Sequence, residues 1–423
     1  MASSLTDMYG SLHSNIREIL EASQKSNNKV PLAVPPFNYD DYIAAIDTLL
    51  SGSLSMGEKV KSFESAFADY LGCKNPGVMV NSGSSANLLS LSILTNASLK
   101  ERLKPGDEII TPAVTWATTV FPISMVSAKP VLVDIDKDSY NIDVNQIKKA
   151  ITKKTKAIMP VHLLGNPCKI DEIKEIADAN DLFLIEDCCE AHGAELNGKK
   201  VGTFGDLATF SFFISHHIST IEGGMILSNN DKYHELGKAL RAFGWVRELR
   251  DKEKLAKKHS SIDPRFLFIT AGFNVRPTEM QGALGTTQLP KLENIIKTRR
   301  DNASYWNERL SKHERFISLP IENPGARHVY FCYPISLKPR APFKQRELVS
   351  FLEQKGIETR PVMTGNIARQ PALTQMRYRR IGKLPNADYV TKNSFLIGNH
   401  TGITKKVREY VADTFEEFFS RYN

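Results

Sequence analysis

Between residues 77 and 229 seven short apolar runs, GVMVNS, DEIITPAV, KPVLVDID, KAIMPVHLL, LFLIEDC, LATFSFF and GGMILSN, end in turn residues and are separated mostly by helix-like stretches. Strands that recur after helical crossovers pair in parallel, and a parallel sheet has to be covered by helices. The pattern therefore predicts an α/β fold with a mostly parallel sheet. It also predicts where a ligand belongs, at the carboxyl ends of those strands.

From about Leu289 the pattern changes. A charged amphipathic helix (LPKLENIIKTRRDNASYWNERL) leads into strands near HVYFCYPISL, a helix at RELVSFLEQKG and a final helix at VREYVADTFEEFFSRY. This places a large domain over 31–288 and a smaller α/β domain over 289–423, in keeping with 423 residues at roughly 150 per domain. Residues 1–30 read as a polar helical extension that ends at VPLAVPP. No repeat or long linker separates the domains, so they are expected to share an interface.

Ordinary apolar (41%) and charged (24%) fractions exclude a disordered or collagenous chain. The net charge of +8 comes from scattered lysines and arginines, which argues against nucleic acid but leaves polyanionic small substrates open. Five cysteines without CxxC spacing suggest neither a disulfide framework nor a zinc ribbon, and a reducing cytoplasm is expected. The N-terminus lacks the basic start and apolar block of a signal peptide. The uncharged run Ile109 to Ala128 contains Pro112, Pro122, four threonines and two serines, and is read as interior rather than membrane-spanning.

Several residues could carry chemistry. In VNSGSSAN, Gly83, Ser84 and Ser85 lie between a strand and a helix expected to start near Ala86, which makes either a phosphate cradle or a plain N-cap turn. Asp187 ends a strand, where a carboxylate either points into the crevice toward a cationic partner or caps the next helix. His216 and His217 are adjacent, so on an extended segment at most one faces a given pocket as a proton carrier. No HExxH or comparable spacing accompanies them, and no metal is expected. Trp116 is a flat wall for a stacked ring or a core residue.

In chain order SGSSAN, Glu186-Asp187, GTFGD, FSFF, EGG and GFNVRPTEMQGALG resemble the sugar aminotransferases that use pyridoxal phosphate on nucleotide-linked sugars, over nearly all of the chain after residue 30. The resemblance implies the aspartate aminotransferase fold, with a mostly parallel seven-stranded sheet in the large domain. That family keeps a lysine five residues after the serine of its SF motif, where it holds the cofactor as a Schiff base. Here the count from Ser211 reaches His216, and no lysine lies between Lys200 and Lys232. Imidazole cannot form that link, so the cofactor is expected to be bound non-covalently.

A histidine in that place is similar to the 3-dehydratase branch, which makes 3,6-dideoxysugar precursors such as those of lipopolysaccharide O-antigens. VMVNSGSSANLL, PAVTWATTVFP, HLLGNPC, SHHIS, RPVMTGN, LPNADY and IGNHTG resemble that branch too. One member carries four cysteines for an iron–sulfur centre before the GFN motif; Gly244 to Gly272 contains none here. The family's usual GEGG is Ile221-Glu222-Gly223-Gly224 in this chain.

The resemblance implies pyridoxamine phosphate as the resting cofactor and a nucleotide-linked 4-keto-6-deoxyhexose as substrate, with GDP-4-keto-6-deoxymannose expected. The C3 hydroxyl is lost, and L-glutamate restores the amine as 2-oxoglutarate leaves. His216 is expected to move the proton at the cofactor's C4′ carbon and Asp187 to keep the pyridine nitrogen protonated. Gly83, Ser84, Ser85 and Ser211 should hold the phosphate, Trp116 should stack on the ring, and Glu190 should lie close by. Asn274 corresponds to the residue that family homodimers lend to the neighbouring subunit's phosphate. Arg276, His328 and Arg360 are further pocket candidates, with Arg276 alternatively a surface ion pair, and His217 is given a supporting role. Competing readings are a CDP- or dTDP-sugar 3-dehydrase needing a redox partner and a non-catalytic sugar sensor.

Overall fold

The apolar runs fold as strands Val78–Val80, Glu108–Pro112, Lys129–Val133, Thr155–Ile158, Phe183–Asp187, Leu207–Ser211 and Gly224–Leu227. In the computed structural model, which describes residues 5–23 and 30–422, they form one sheet. Across it the strands follow the order 78–80, 224–227, 207–211, 183–187, 155–158, 108–112 and 129–133. To these seven expected strands the chain adds Arg379–Arg380, paired in parallel with Lys129–Val133 at the edge. Gly224–Leu227 runs against both of its neighbours. The other strands share one direction, so their carboxyl ends open on a single side.

Both faces of the sheet are buried, as a parallel sheet demands. Ile109 and Ala157 pack with Leu89 and Ile93 of helix Gly83–Thr95 and Leu236 of helix Asp231–Arg241. The next residues along the same strands, Ile110 and Ile158, pack with Ile147 and Ile173 of helices Val144–Ala150 and Ile170–Ala179. Alternate side chains point to opposite faces, so these are two helical layers around one sheet.

The second body is a four-stranded antiparallel sheet, Ile317–Ser318, Tyr333–Leu337, Ser394–Ile397 and Thr359–Arg360 in spatial order. Helices Leu292–Leu310, Gln345–Gln354 and Lys405–Phe419 bury Trp306, Leu348, Phe415 and Phe419 in its core. The large sheet borrows a segment from the smaller body, and the smaller body one from the N-terminal extension. Arg379–Arg380 extends the large sheet, and Val30 joins the smaller core through backbone hydrogen bonds to Gly356 and Glu358. Within the expected extension 1–30, Leu5–Ser23 is a helix, and residues 1–4 and 24–29 lie outside the described residues. Among the described residues no helix is long and apolar enough to cross a membrane.

Two motifs have structural explanations. Glu279 in GFNVRPTEMQGALG accepts the backbone N–H groups of Gly57, Lys59 and Val60, so its carboxylate caps helix Glu58–Leu71. Gly285 in the same motif lets its helix, Glu279–Gln288, touch helix Glu58–Leu71, since a Cβ there would clash with the Phe63 ring. Glu186 anchors GTFGD by accepting from Gly202, Phe204 and Gly205.

Candidate active site

Chain direction puts the candidate residues on one side of the sheet. Val80 leads into Ser82, whose hydroxyl accepts the N–H of Ser85 at 3.1 Å and caps helix Gly83–Thr95. The helix thus starts at Gly83, three residues before the Ala86 start expected from sequence, because Ser82 rather than a later serine supplies the cap. The N–H groups at Gly83 and Ser84 lie at the positive end of the helix dipole, where an anion is stabilised. Ser211, ending its own strand, faces Gly83 so closely that a Cβ on Gly83 would lie 2.5 Å from the Ser211 Cβ. This contact sets the Ser211 hydroxyl beside the first N–H groups of the helix, which together make a candidate anion cradle. Gly83→Ala should force the helix start and the Ser211 strand end apart, an overpacking cost of about 1–3 kcal/mol read as a lower denaturant midpoint, with pyridoxamine phosphate affinity weakened in fluorescence titration.

Asp187 is buried and held by three donors. Its Oδ2 accepts from Asn87 Nδ2 at 3.0 Å and Thr119 Oγ1 at 2.8 Å, and its Oδ1 from the Cys189 N–H at 3.2 Å. Thr209 Oγ1 donates to Asn87 Oδ1 at 2.6 Å, which fixes the amide so that its NH₂ faces the carboxylate. No lysine or arginine pairs with Asp187 among the described residues. A buried carboxylate without a cation is poised for one supplied by a ligand.

Trp116, at the start of helix Ala117–Met125, is 56% exposed, so it is a surface ring rather than core. Glu190 is buried beside Asp187 and accepts the Leu164 N–H at 2.7 Å. Burial, with the Asp187 charge adding, pushes its carboxyl up to about 8. It is therefore mostly a neutral acid at neutral pH, able to donate a hydrogen bond as well as accept one.

His216 sits in the loop after Ser211. Its ring lies 5.1 Å from that of Phe331 and 5.9 Å from that of His192. The ring is half-buried, with Nδ1 enclosed and without a hydrogen-bond partner, so its accessible edge is the Nε2 one. Burial and the Arg299 guanidinium push it down to about 3, leaving a neutral base at neutral pH. Arg299, which the sequence reading did not single out, is buried, and donates to the carbonyls of Phe331 and Asn399. It has no carboxylate partner among the described residues, and burial pushes it down to about 10. Arg360 is exposed at the end of strand Thr359–Arg360.

The remaining candidates are spread more widely. His217 is fully buried, its Nε2 bonded to the Val329 carbonyl at 2.9 Å. His328 is buried in its own loop, stacked on Tyr330 at 3.7 Å, with Nδ1 accepting the Tyr330 N–H. Asn274 and Arg276 flank Val275, whose carbonyl accepts the Asn81 N–H beside the cradle. Arg276 donates to Asn274 Oδ1 at 3.1 Å and lies over Phe243, and it pairs with no carboxylate among the described residues.

His162, Glu186 and Cys188 bring possible metal-ligand atoms within 4.8 Å of one another. His162 Nε2 meets Glu186, which also accepts three backbone N–H groups, and His162 Nδ1 accepts the Cys168 N–H. Hydrogen bonds thus account for this cluster. Asn87, Thr119 and Arg299 were missed by sequence reasoning; Asn87 had a signal as the last residue of SGSSAN and Thr119 as part of PAVTWATTVFP, and Arg299 had none.

The cleft fits a pyridoxal-type cofactor: an anion cradle at Gly83 and Ser211, a buried carboxylate lacking a cation, and an exposed indole. Comparison with known proteins agrees. The chain is 41% identical over 374 residues to the GDP-4-keto-6-deoxy-D-mannose 3-dehydratase of Yersinia pseudotuberculosis, covering 88% of this chain and 94% of that one. A crystal structure of a GDP-4-keto-6-deoxymannose 3-dehydratase, a histidine-to-asparagine variant with bound GDP-perosamine, superposes with a TM-score of 0.86 at 39% identity, covering 91% of this chain and 99% of that one. Another structure of that enzyme, with a trapped PLP–glutamate geminal diamine, gives 0.86 at 38% identity over the same shares. The matching family profile spans residues 39–416, which include every strand of all the sheets, and the chain therefore belongs to the DegT/DnrJ/EryC1/StrS aminotransferase family.

Proposed function

We propose that this protein removes the C3 hydroxyl of a nucleotide-linked 4-keto-6-deoxyhexose, GDP-4-keto-6-deoxymannose, using non-covalently held pyridoxamine phosphate that glutamate regenerates. The observation that carries this reading is the neutral imidazole of His216 in a loop with no lysine between Lys200 and Lys232. A lysine would tie the cofactor down and favour transamination; an imidazole leaves it free and acts on protons. The relatives that bind GDP-perosamine and a PLP–glutamate adduct support the substrate and the amine donor.

When bound, the cofactor supplies an amine for the C4 ketone and a cationic ring that draws electrons from the attached carbons. The chain does the rest. Gly83, Ser84, Ser85 and Ser211 would hold the phosphate, and Trp116 would cover a ring face. Asp187, fixed by Asn87 and Thr119, would keep the ring nitrogen protonated. His216 Nε2 would take the proton at C4′ and, once charged, return it to the departing hydroxyl as water. Glu190 stands beside Asp187 as a hydrogen-bond donor, and Arg360 is an exposed cation for the diphosphate.

We place the protein in a homodimer, in which Asn274 and Arg276 of each subunit serve the neighbouring phosphate site, and in the cytoplasm, where its five free cysteines stay reduced. The test mixes purified protein, pyridoxamine phosphate and glutamate with GDP-, CDP- and dTDP-linked 4-keto-6-deoxyhexoses. A 3-deoxy ketosugar and 2-oxoglutarate should form from the GDP sugar without a reductase. Turnover that depends on a reductase would point to a redox-dependent 3-dehydrase, and no product at all to a sugar sensor.

A further inference from the structure

His192 has no role in the reaction above, yet its surroundings are unusual for a histidine. It is fully buried and stacked against Phe210 and Phe212, at centroid distances of 5.8 and 5.4 Å and interplanar angles of 27° and 18°. Both ring nitrogens are enclosed and neither makes a hydrogen bond of good geometry, although the Ser211 backbone carbonyl is near enough to favour a proton on the ring. A phenyl ring would fill the same sandwich without the roughly 1–3 kcal/mol that a buried unsatisfied polar group costs. Something must use those nitrogens.

The titratable and charged groups that face His192 are His216 and His217, from the loop after Ser211, and Arg299, from helix Leu292–Leu310. His216 lies 5.9 Å away at 76° and His217 5.6 Å away at 79°, both T-shaped contacts. Each of those rings also has Nδ1 enclosed and unbonded. A direct N–H···N bond puts imidazole centroids about 5 Å apart, so a small ring rotation or one water closes either gap.

The donor pattern closes in one direction. A carbonyl only accepts, so the bond from His217 Nε2 to the Val329 oxygen puts the His217 proton on Nε2 and a lone pair on Nδ1. That lone pair, like the nearby Ser211 carbonyl, can take the N–H of a neutral His192, which has only one to give. The other His192 nitrogen must then accept, and the donor facing it is Nδ1–H of His216.

We propose that His192 is a positioning residue: it links His216 to His217, directly or through one water, and holds His216 in the tautomer whose Nε2 lone pair faces the cleft. This rests on the reading of His216 as the proton carrier. The link matters twice, because it fixes which nitrogen is the base and it receives the Nδ1–H of the imidazolium formed when Nε2 takes a proton.

The test combines a tautomer measurement with two substitutions. In nitrogen-15 histidine-labelled holoenzyme, with His216 assigned by its disappearance in His216→Asn, the His216 signals should be those of a ring protonated at Nδ1. His192→Phe, which keeps volume and stacking, should lower kcat about tenfold to hundredfold, with cofactor affinity and the KM for the nucleotide sugar unchanged. His192→Gln, which retains a donor and an acceptor, should restore most of that loss. Wild-type His216 protonated at Nε2, an undiminished kcat in His192→Phe, or a glutamine variant no better than the phenylalanine one would each overturn the proposal. If His192→Phe does not fold, the wild-type tautomer decides alone. Full activity in His216→Asn would sink the proton-carrier reading, while the tautomer measurement would still report on the link.

Discussion

His216→Asn should lose dehydration by about 10² to 10⁴ in kcat while still folding and still binding pyridoxamine phosphate. That range corresponds to roughly 3–5 kcal/mol of barrier, the contribution of one positioned proton carrier. Asparagine can take the place of the ring but cannot accept and return a proton near neutral pH. Binding should survive because the groups that would hold the cofactor, at Gly83, Ser211 and Asp187, belong to other elements and do not bond to His216. His216→Lys separates this account from a merely structural one. A lysine there restores the primary amine that the sequence lacks, so a borohydride-reducible link to the cofactor should appear in the absorbance spectrum as dehydration collapses. Unchanged dehydration in either variant would mean that the proton carrier is another group.

The large sheet was legible because each of its main strands is a continuous apolar run ended by turn residues, which is what burial on both faces requires. Arg379–Arg380 was not, since two arginines carry no apolar signal and the strand is joined by backbone pairing and by the ion pair of Arg379 with Glu108, 271 residues away in sequence. The same distinction runs through the site. Residues at strand ends, such as Asp187 and Ser211, could be placed from local pattern, because chain direction decides which end of a strand meets the crevice. Arg299 and His192 could not. Arg299 is held by carbonyls 32 and 100 residues away in sequence, one of them that of Phe331, whose ring meets His216. Nor does local sequence show that His328 is closed against Tyr330, or that Trp116 stands in solvent when an apolar run surrounds it. Spacing places a residue along the chain; packing decides whether its polar atoms are spent on protein or left for a ligand.

Asp187→Asn should be the most damaging change that leaves His216 intact. The two residues differ by one charge and almost no volume, so Asn87, Thr119 and the Cys189 N–H would still surround the side chain. What disappears is the buried anion that a protonated ring nitrogen needs. Removing one partner of a buried, hydrogen-bonded charge pair costs about 2–5 kcal/mol, read here as a loss of roughly 30- to 5,000-fold in kcat. An amide also has to turn either its oxygen or its NH₂ toward donors that all point at one carboxylate, so at least one hydrogen bond among Asn87, Thr119 and Cys189 is lost in either orientation. The discriminating measurement is the absorbance of bound cofactor against pH. In the wild type the ring nitrogen should stay protonated through neutral pH, and in Asp187→Asn its titration should move to lower pH, with phosphate affinity little changed because the Gly83 cradle is untouched. An unshifted titration would show that another group supplies the counter-charge, and would remove Asp187 from the chemistry while leaving it the task of tying helix Gly83–Thr95 to the sheet.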